Sequence, residues 1–477
     1  MLFNSIDFAI FLPIVFVIYW SLVRNLKAQN IILLIASYVF YGWWDWKFLG
    51  LIFLSSVVDF FIGLLLQNEE KRVARKAYLA ASLFVNLSLL GYFKYFNFFL
   101  DAFEQSFTII GYQLDAARLD IVLPVGISFY TFQTLSYTID IYRKKLSATS
   151  DFIAFSSYVS FFPQLVAGPI ERATNLLPQF FHRREMNYAQ SVDGLRQILW
   201  GLFKKVVIAD GCAEYANMIF NNYSEYSGST LILGAVFFSF QIYCDFSGYS
   251  DIAIGTARLF GFSLQKNFAF PYFSRDIAEF WRRWHISLST WFRDYLYIPL
   301  GGSRGSSLAK IRNTFIIFIV SGFWHGANWT FIVWGFVNAL FFLPLLVGGK
   351  NRTHLGTVAE GKILPSLLEL FQMGITYFLT VSAWVFFRSE SIGDAFLYFD
   401  GIMNWSLLSK PQIIPLTLLI TITIFILVEW FGRTRQYAIE VMFNGVPSPV
   451  RWLVYYLLVV LILNNIGNEQ EFIYFQF

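Results

Sequence analysis

The chain has only four histidines, and one of them stands where an ionisable ring is costly. His325 lies in "SGFWHGANWTFIVWG", residues 321–335, between Trp324 and Gly326, inside a long apolar run. Counted from Arg312 at 1.5 Å per residue, it sits about 20 Å along a helix, deep in any bilayer that the run crosses. Intramembrane ionisable groups are expensive and usually face a cavity or the bundle interior. Gly322 and Gly326 remove side-chain bulk on either side, so a substrate or another backbone can approach closely. Asn328 adds a polar donor one turn on. A neutral histidine hydrogen-bonded between helices is the plain alternative. With an imidazole available and no evident protein nucleophile, the chemistry that fits is general-base acyl transfer. His325 would take the proton of an acceptor hydroxyl as it attacks an activated acyl group. Backbone or Asn328 donors would stabilise the oxyanion.

His285 occurs in "EFWRRWHISLSTWFRDYLYIPLGG". Helical spacing predicts one face carrying Trp281, His285, Leu288 and Phe292, with Trp284 close by. Such a basic, aromatic helix suits a membrane interface, where His285 is either an anchor residue or a functional one. Pro299 and Gly301–Gly302 then end the helix in a glycine-rich basic loop. This loop could cradle a phosphate-bearing donor, although the strand–loop–helix context of a phosphate loop is missing. His182 and His354 fall in polar connections and read as surface residues. "QIYCDFSGYSDIAIG" carries Asp245, Ser247 and Asp251, and "PVGISFYTFQTLSYTIDIYRK" carries Ser128, Gln133, Tyr137 and Asp140. Buried carboxylates need partners, so these segments face a polar interior or serve as polar glue between helices. Two cysteines, Cys212 and Cys244, form no zinc spacing or disulfide framework. No metal cluster, nucleotide-binding loop or nucleic-acid patch stands out.

The elements that must position these groups belong to a membrane protein. The chain is 57% hydrophobic and 14% charged, against about a quarter charged in soluble proteins. Only a bilayer solvates so much apolar surface. Candidate spans are 7–23, 30–46, 48–67, 77–100, 121–142, 152–167, 193–209, 229–262, 313–347, 366–387, 413–431 and 452–466. The two longest, 229–262 and 313–347, must tilt, extend beyond the bilayer or break. About eleven crossings are expected, in one membrane domain over 1–477. Met1–Asp7 lacks the basic stretch of a cleavable signal peptide. Basic residues set the orientation. Arg24, Lys27, the run Lys71–Lys76 and Arg143–Lys145 read as cytoplasmic, as does the interfacial region 263–312. The stretches 101–120 and 388–411, and the aromatic tail 467–477, read as external.

These blocks resemble the membrane-bound O-acyltransferase (MBOAT) family, in particular its bacterial branch and the alginate O-acetyltransferase-like subgroup. "MLFNSIDFAIFLPIVFVIYW", "LPVGISFYTFQTLSYTIDIYR", "FFPQLVAGPIER", "QIYCDFSGYSDIAIG", "FWRRWHISLSTWFRDYLYIPLGG" and "SGFWHGANWTFIVWG" carry the likeness, in order and over nearly the whole chain. The resemblance implies an all-α polytopic bundle, with re-entrant or interfacial helices, enclosing a transmembrane tunnel. His325 would correspond to the catalytic histidine and His285 to a second functional polar position, with Asn328, Trp324 and Asp245 in support. It implies no bound cofactor and no metal. The donor it implies is an acyl thioester such as acetyl-CoA, and the acceptor it implies is an extracytoplasmic polysaccharide, alginate-like or peptidoglycan, reached through a separate extracytoplasmic acetyltransferase- or esterase-like partner. The location implied is the bacterial cytoplasmic (inner) membrane.

The ending "FIYFQF", residues 472–477, is either an interfacial aromatic anchor or, by the same resemblance, the site of an acyl relay on Tyr474. Two other readings stay open. One is D-alanyl transfer from a carrier protein to an envelope polymer. The other is a multi-pass transporter, for which a broken 313–347 segment would serve alternating access.

Overall fold

Large apolar side chains point outward from this protein. In the computed structural model, helix α1 (Ile6–Ser21) exposes Ile6, Ile10, Ile14 and Val17 along one face. That is the inverse of a water-soluble helix and matches lipid as the solvent. The structure describes residues 1–113, 117–442, 445–467, 470 and 472–473. Among them there is no strand, and helices carry the whole fold. Six helices are long and apolar enough to cross a membrane: 46–68, 72–109, 228–259, 329–347, 367–388 and 448–465. Three shorter apolar helices, 6–21, 26–42 and 416–432, accompany them. Several expected spans are interrupted. The run 121–142 becomes helical only from Ile127, and 152–167 breaks at Phe161.

The chain forms two compact units. The first comprises 1–191 and 256–264. Its helices include α1, α2 (Leu26–Gly42), α3 (Leu49–Asn68), α4 (Arg72–Leu90) and α5 (Ile127–Tyr142). Here the buried polar groups are glue. Asp59 on α3 accepts from Ser82 Oγ at 2.5 Å and Asn86 Nδ2 at 2.8 Å, both on α4. Thr134 on α5 completes the network by donating to Asn86 Oδ1 at 3.2 Å. Lipid offers no hydrogen bonds, so such groups pair across helices. Gln133 likewise donates to Tyr158 O at 2.6 Å.

The second unit, 192–255 with 265–477, contains all of the candidate catalytic groups. It is built on α6 (Tyr188–Leu202), which continues through a wider π-turn, Phe203–Ala209, and on α7 (Gly228–Leu259). The 229–262 run is thus unbroken helix as far as Leu259, in a helix about 48 Å long at 1.5 Å per residue. The 313–347 run is broken. Helix α10 (Ser307–His325) ends on the histidine itself, and α11 (Trp329–Val347) starts four residues later. Between α7 and α10 lie two short helices of about two turns each, α8 (Ile277–Arg283) and α9 (Ile286–Phe292). Helix α12 (Leu367–Arg388) packs against α11.

Glycines permit the α10–α11 hairpin. A Cβ on Gly322 would land on the Phe331 carbonyl, and one on Gly335 on the Phe318 carbonyl. A Cβ on Gly326 would strike the Phe331 ring. The close approach expected at Gly322 and Gly326 is therefore made by a partner helix of the same chain.

Candidate active site

His325 is the last residue of α10 and is buried. Gly326 leaves the helix in an extended conformation, and Asn328 restarts it as the N-cap of α11. Asn328 Oδ1 accepts from Thr330 N at 3.0 Å, and its Nδ2 donates to Glu390 O at 3.0 Å. The amide that the sequence offered for an oxyanion is thus engaged in shaping the break. Around the His325 ring stand Trp324, Trp334 and Phe387, with centroids 5.0, 5.2 and 5.5 Å away. These rings fix the imidazole by packing. His285 lies 6.4 Å from His325, centroid to centroid, and Trp324 is 6.1 Å from His285.

His285 corrects one expectation. Residues 277–292 are not one amphipathic helix. The helix breaks at Trp284, and His285 adopts the left-handed region at φ +43°. A non-glycine residue there stores strain, which the surroundings must over-determine. Asn267 is what breaks the helix. Its carbonyl accepts from Ile286 N at 2.8 Å. Its Oδ1 accepts from Ser287 Oγ at 2.9 Å, faces Ser287 N at 3.4 Å and contacts His285 Nδ1 at 3.1 Å. Its Nδ2 donates to Ser250 Oγ at 3.0 Å. A backbone N–H can only donate, so the atom that it faces is the amide oxygen. His285 Nδ1 must then be the donor, and Nε2 carries the lone pair. Burial first, and the neighbouring His325 second, hold the His285 pKa well below the ordinary imidazole range. Sequence reasoning missed Asn267. Its only signal is an amide in the "LQKNFAF" connection.

Both rings open on one cavity of about 370 Å³. Despite the break, Trp281, His285, Leu288 and Phe292, expected on one helix face, all line it. Its long wall is α10, through Lys310, Thr314, Ile317, Ser321 and His325. These positions recur every three to four residues and so share one helix face. Three cations reach the cavity: Arg293, which pairs with Asp294 at 2.7 Å, Lys310 and Arg352. From α10, Asn313 Nδ2 donates to Leu300 O and Gly302 O of the glycine-rich stretch, both at 3.1 Å, and Ser303 lines the cavity.

The remaining candidates lie apart. Asp245, on α7, is buried and pairs with Lys205 at 2.9 Å. His182 is exposed, and His354 approaches Asp276 at 3.9 Å at the protein's periphery. Tyr474 lies outside the described residues. Among the described residues, no group of three His, Cys, Asp or Glu side chains is arranged to hold a metal ion.

Apolar helices of spanning length, with a buried imidazole pair opening on a cavity that also reaches cations, define a multi-pass membrane protein equipped for acid–base chemistry. The model of MBOAT, the membrane-bound O-acyltransferase family, matches residues 11–362. The chain belongs to that family, and it is an acyltransferase that works with an acyl donor. It is 38% identical to the probable alginate O-acetylase AlgI of Pseudomonas aeruginosa, over 92% of this chain and 82% of that one. It is 36% identical to the peptidoglycan O-acetyltransferase of Helicobacter pylori, over 85% of this chain and 80% of that one. The teichoic acid D-alanyltransferase of Streptococcus thermophilus is more distant, at 28% over 59% and 69%.

Proposed function

We propose that this protein is an O-acetyltransferase of the bacterial inner membrane, supplying acetyl groups to an extracytoplasmic polysaccharide, with His325 as general base. The observation that carries the reading is the single cavity shared by Lys310, Arg352, His285 and His325. Cations at one part of it suit the phosphates of a donor such as acetyl-CoA or a carrier-bound thioester. A buried, packed imidazole suits proton transfer. The acceptor hydroxyl oxygen attacks the thioester carbonyl as its proton passes to His325. The tetrahedral intermediate collapses, the C–S bond breaks, and the departing thiolate takes the proton. His285, neutral and with Nε2 as its basic atom, holds the donor end. The names of the alginate and peptidoglycan relatives support a polysaccharide acceptor. A separate extracytoplasmic partner completes transfer, and Tyr474 serves as an acyl relay before it. The teichoic acid relative keeps D-alanyl transfer as the second reading.

Purified protein incubated with radiolabelled acetyl-CoA tests the assignment. His325→Ala and His285→Ala should each fold and each lose acetyl transfer, by about 10²-fold or more for the base. A fully active His325→Ala protein would falsify the base assignment. Tyr474→Phe should keep expression and donor hydrolysis while abolishing polymer acetylation, and unchanged polymer acetylation removes the relay.

A further inference from the structure

Between α11 and α12, residues 348–366 form no helix. Peptide groups outside a helix still need partners, and here arginines supply several of them. Arg282, in the last turn of α8, donates from Nη1 to Asn351 O at 2.8 Å and from Nη2 to His354 O at 2.6 Å. Arg275 Nη2 and Arg283 Nη2 both donate to Gly356 O, at 2.8 and 3.0 Å. Buried Glu279 ties those two guanidinium groups together, its Oε1 accepting from Arg275 Nη2 at 3.0 Å and from Arg283 Nη2 at 2.8 Å. The grip of Arg282 falls on a turn that the cavity uses. Thr353 N donates to Lys350 O at 3.1 Å, and Thr353 Oγ1 donates to the same oxygen at 2.8 Å. Arg352 is the third residue of that turn and lines the cavity beside Asn351. Arg282 thus holds the carbonyl just before Arg352 and another two residues after it. A guanidinium is a rigid fork, so two carbonyls on one fork set the direction in which the turn faces. Three residues beyond Arg282 comes His285, so one short element ties the turn to the imidazole.

The structure assigns Arg282 the part of a positioning residue: it seats the turn at 350–353 so that Arg352 stays at the cavity and meets the phosphates of the donor. This rests on the reading of that cavity as the donor site. Both Nη atoms of Arg282 are engaged by carbonyls, so its effect on an anion passes through Arg352. A lysine at 282 keeps the charge and lacks the fork.

Arg282→Gln and Arg282→Lys in the full-length chain separate seating from charge. The readout is KM for acetyl-CoA against KM for S-acetylpantetheine, which has the same thioester arm and no phosphate. Arg282→Gln should raise KM for acetyl-CoA by about 3–10-fold, with kcat largely kept. KM for S-acetylpantetheine should move less than twofold. Arg282→Lys should behave as Arg282→Gln does, and it carries the same readouts if the glutamine variant fails to accumulate. Added to Arg352→Gln, Arg282→Gln should change KM for acetyl-CoA less than twofold, because the two act at one point. An Arg282→Lys protein with the wild-type KM overturns the seat, since charge alone would then suffice. So does an equal loss with both donors, the result that a merely structural staple would give, and so does a double variant whose effects multiply. Limited trypsin digestion reads the turn without any donor. Lys350 and Arg352 are exposed, and cleavage after them should be about tenfold faster or more in Arg282→Gln than in wild type. Unchanged cleavage overturns the seat. If Arg352→Gln leaves KM for acetyl-CoA unchanged, the donor reading of the cavity falls, while the cleavage arm still decides whether Arg282 seats the turn.

Discussion

Asn267 and His285 are eighteen positions apart, yet they behave as one unit. The side-chain amide oxygen faces Ser287 N past the helix break, directs His285 Nδ1 and leaves Nε2 as the basic atom. Asn267→Leu should therefore lower acyl transfer by about 10–100-fold, the usual effect of losing an orienting partner. Asn267→Asp, which keeps the acceptor oxygen, should recover part of it in the same transfer assay. The pH profile gives a second test. A depressed pKa means that the neutral ring persists to lower pH, so the acid limb of kcat/KM should fall below the ~6.5 of an unperturbed imidazole. NMR titration of the labelled His285 ring separates it from His325, and a His285 ring that gains its proton at or above that value would overturn its assignment as a neutral imidazole. His325 was legible in the sequence because a polar residue in an apolar run is conspicuous. Asn267 was not, because its partners come from elsewhere in the chain and its own neighbourhood reads as a connection.

At the scale of elements, the α10–α11 hairpin positions His325. The length of the apolar run 313–347 left tilt, extension and a break all open, as it did for 229–262, and only the first of these runs is broken. The break at His285 was hidden, because residues 277–292 keep a helical pattern of apolar positions on both sides of it. Periodicity reports which face a residue occupies, and the cavity does receive the predicted face. It does not report a local reversal imposed by a distant amide. The hairpin depends on close backbone approach at Gly322 and Gly335. Gly322→Val should destabilise the protein by roughly 3 kcal/mol through overpacking against a carbonyl that cannot rotate away. Thermal unfolding in detergent should register this as a lowered Tm. Gly374, on the outward part of α12 with open space beside it, should tolerate alanine.

At the scale of the whole molecule, large apolar side chains face outward, while some charges, Lys205 and Asp245 among them, are paired in the interior. Composition made that inversion evident before any element was assigned. The pairing of Lys205 with Asp245 could not be read, because partners in the interior are set by packing. The cavity's cations carry a separate expectation. Lys310→Gln and Arg352→Gln should each raise KM for a phosphate-bearing donor by about 3–10-fold with kcat largely kept. Added salt should raise the wild-type KM in the same direction.

Helix α10 also works as a ruler. From Lys310 to His325 its cavity face rises about 22 Å. A donor whose anionic group rests at Lys310 meets the base only if its acyl carbon lies at the far end of an arm of similar reach. Acetyl phosphate, with charge and acyl group a bond or two apart, cannot occupy both ends at once. On the proposed reading, selection among donors would be made by length as well as by charge, and acetyl phosphate is expected to be a poor donor beside acetyl-CoA in the same transfer assay.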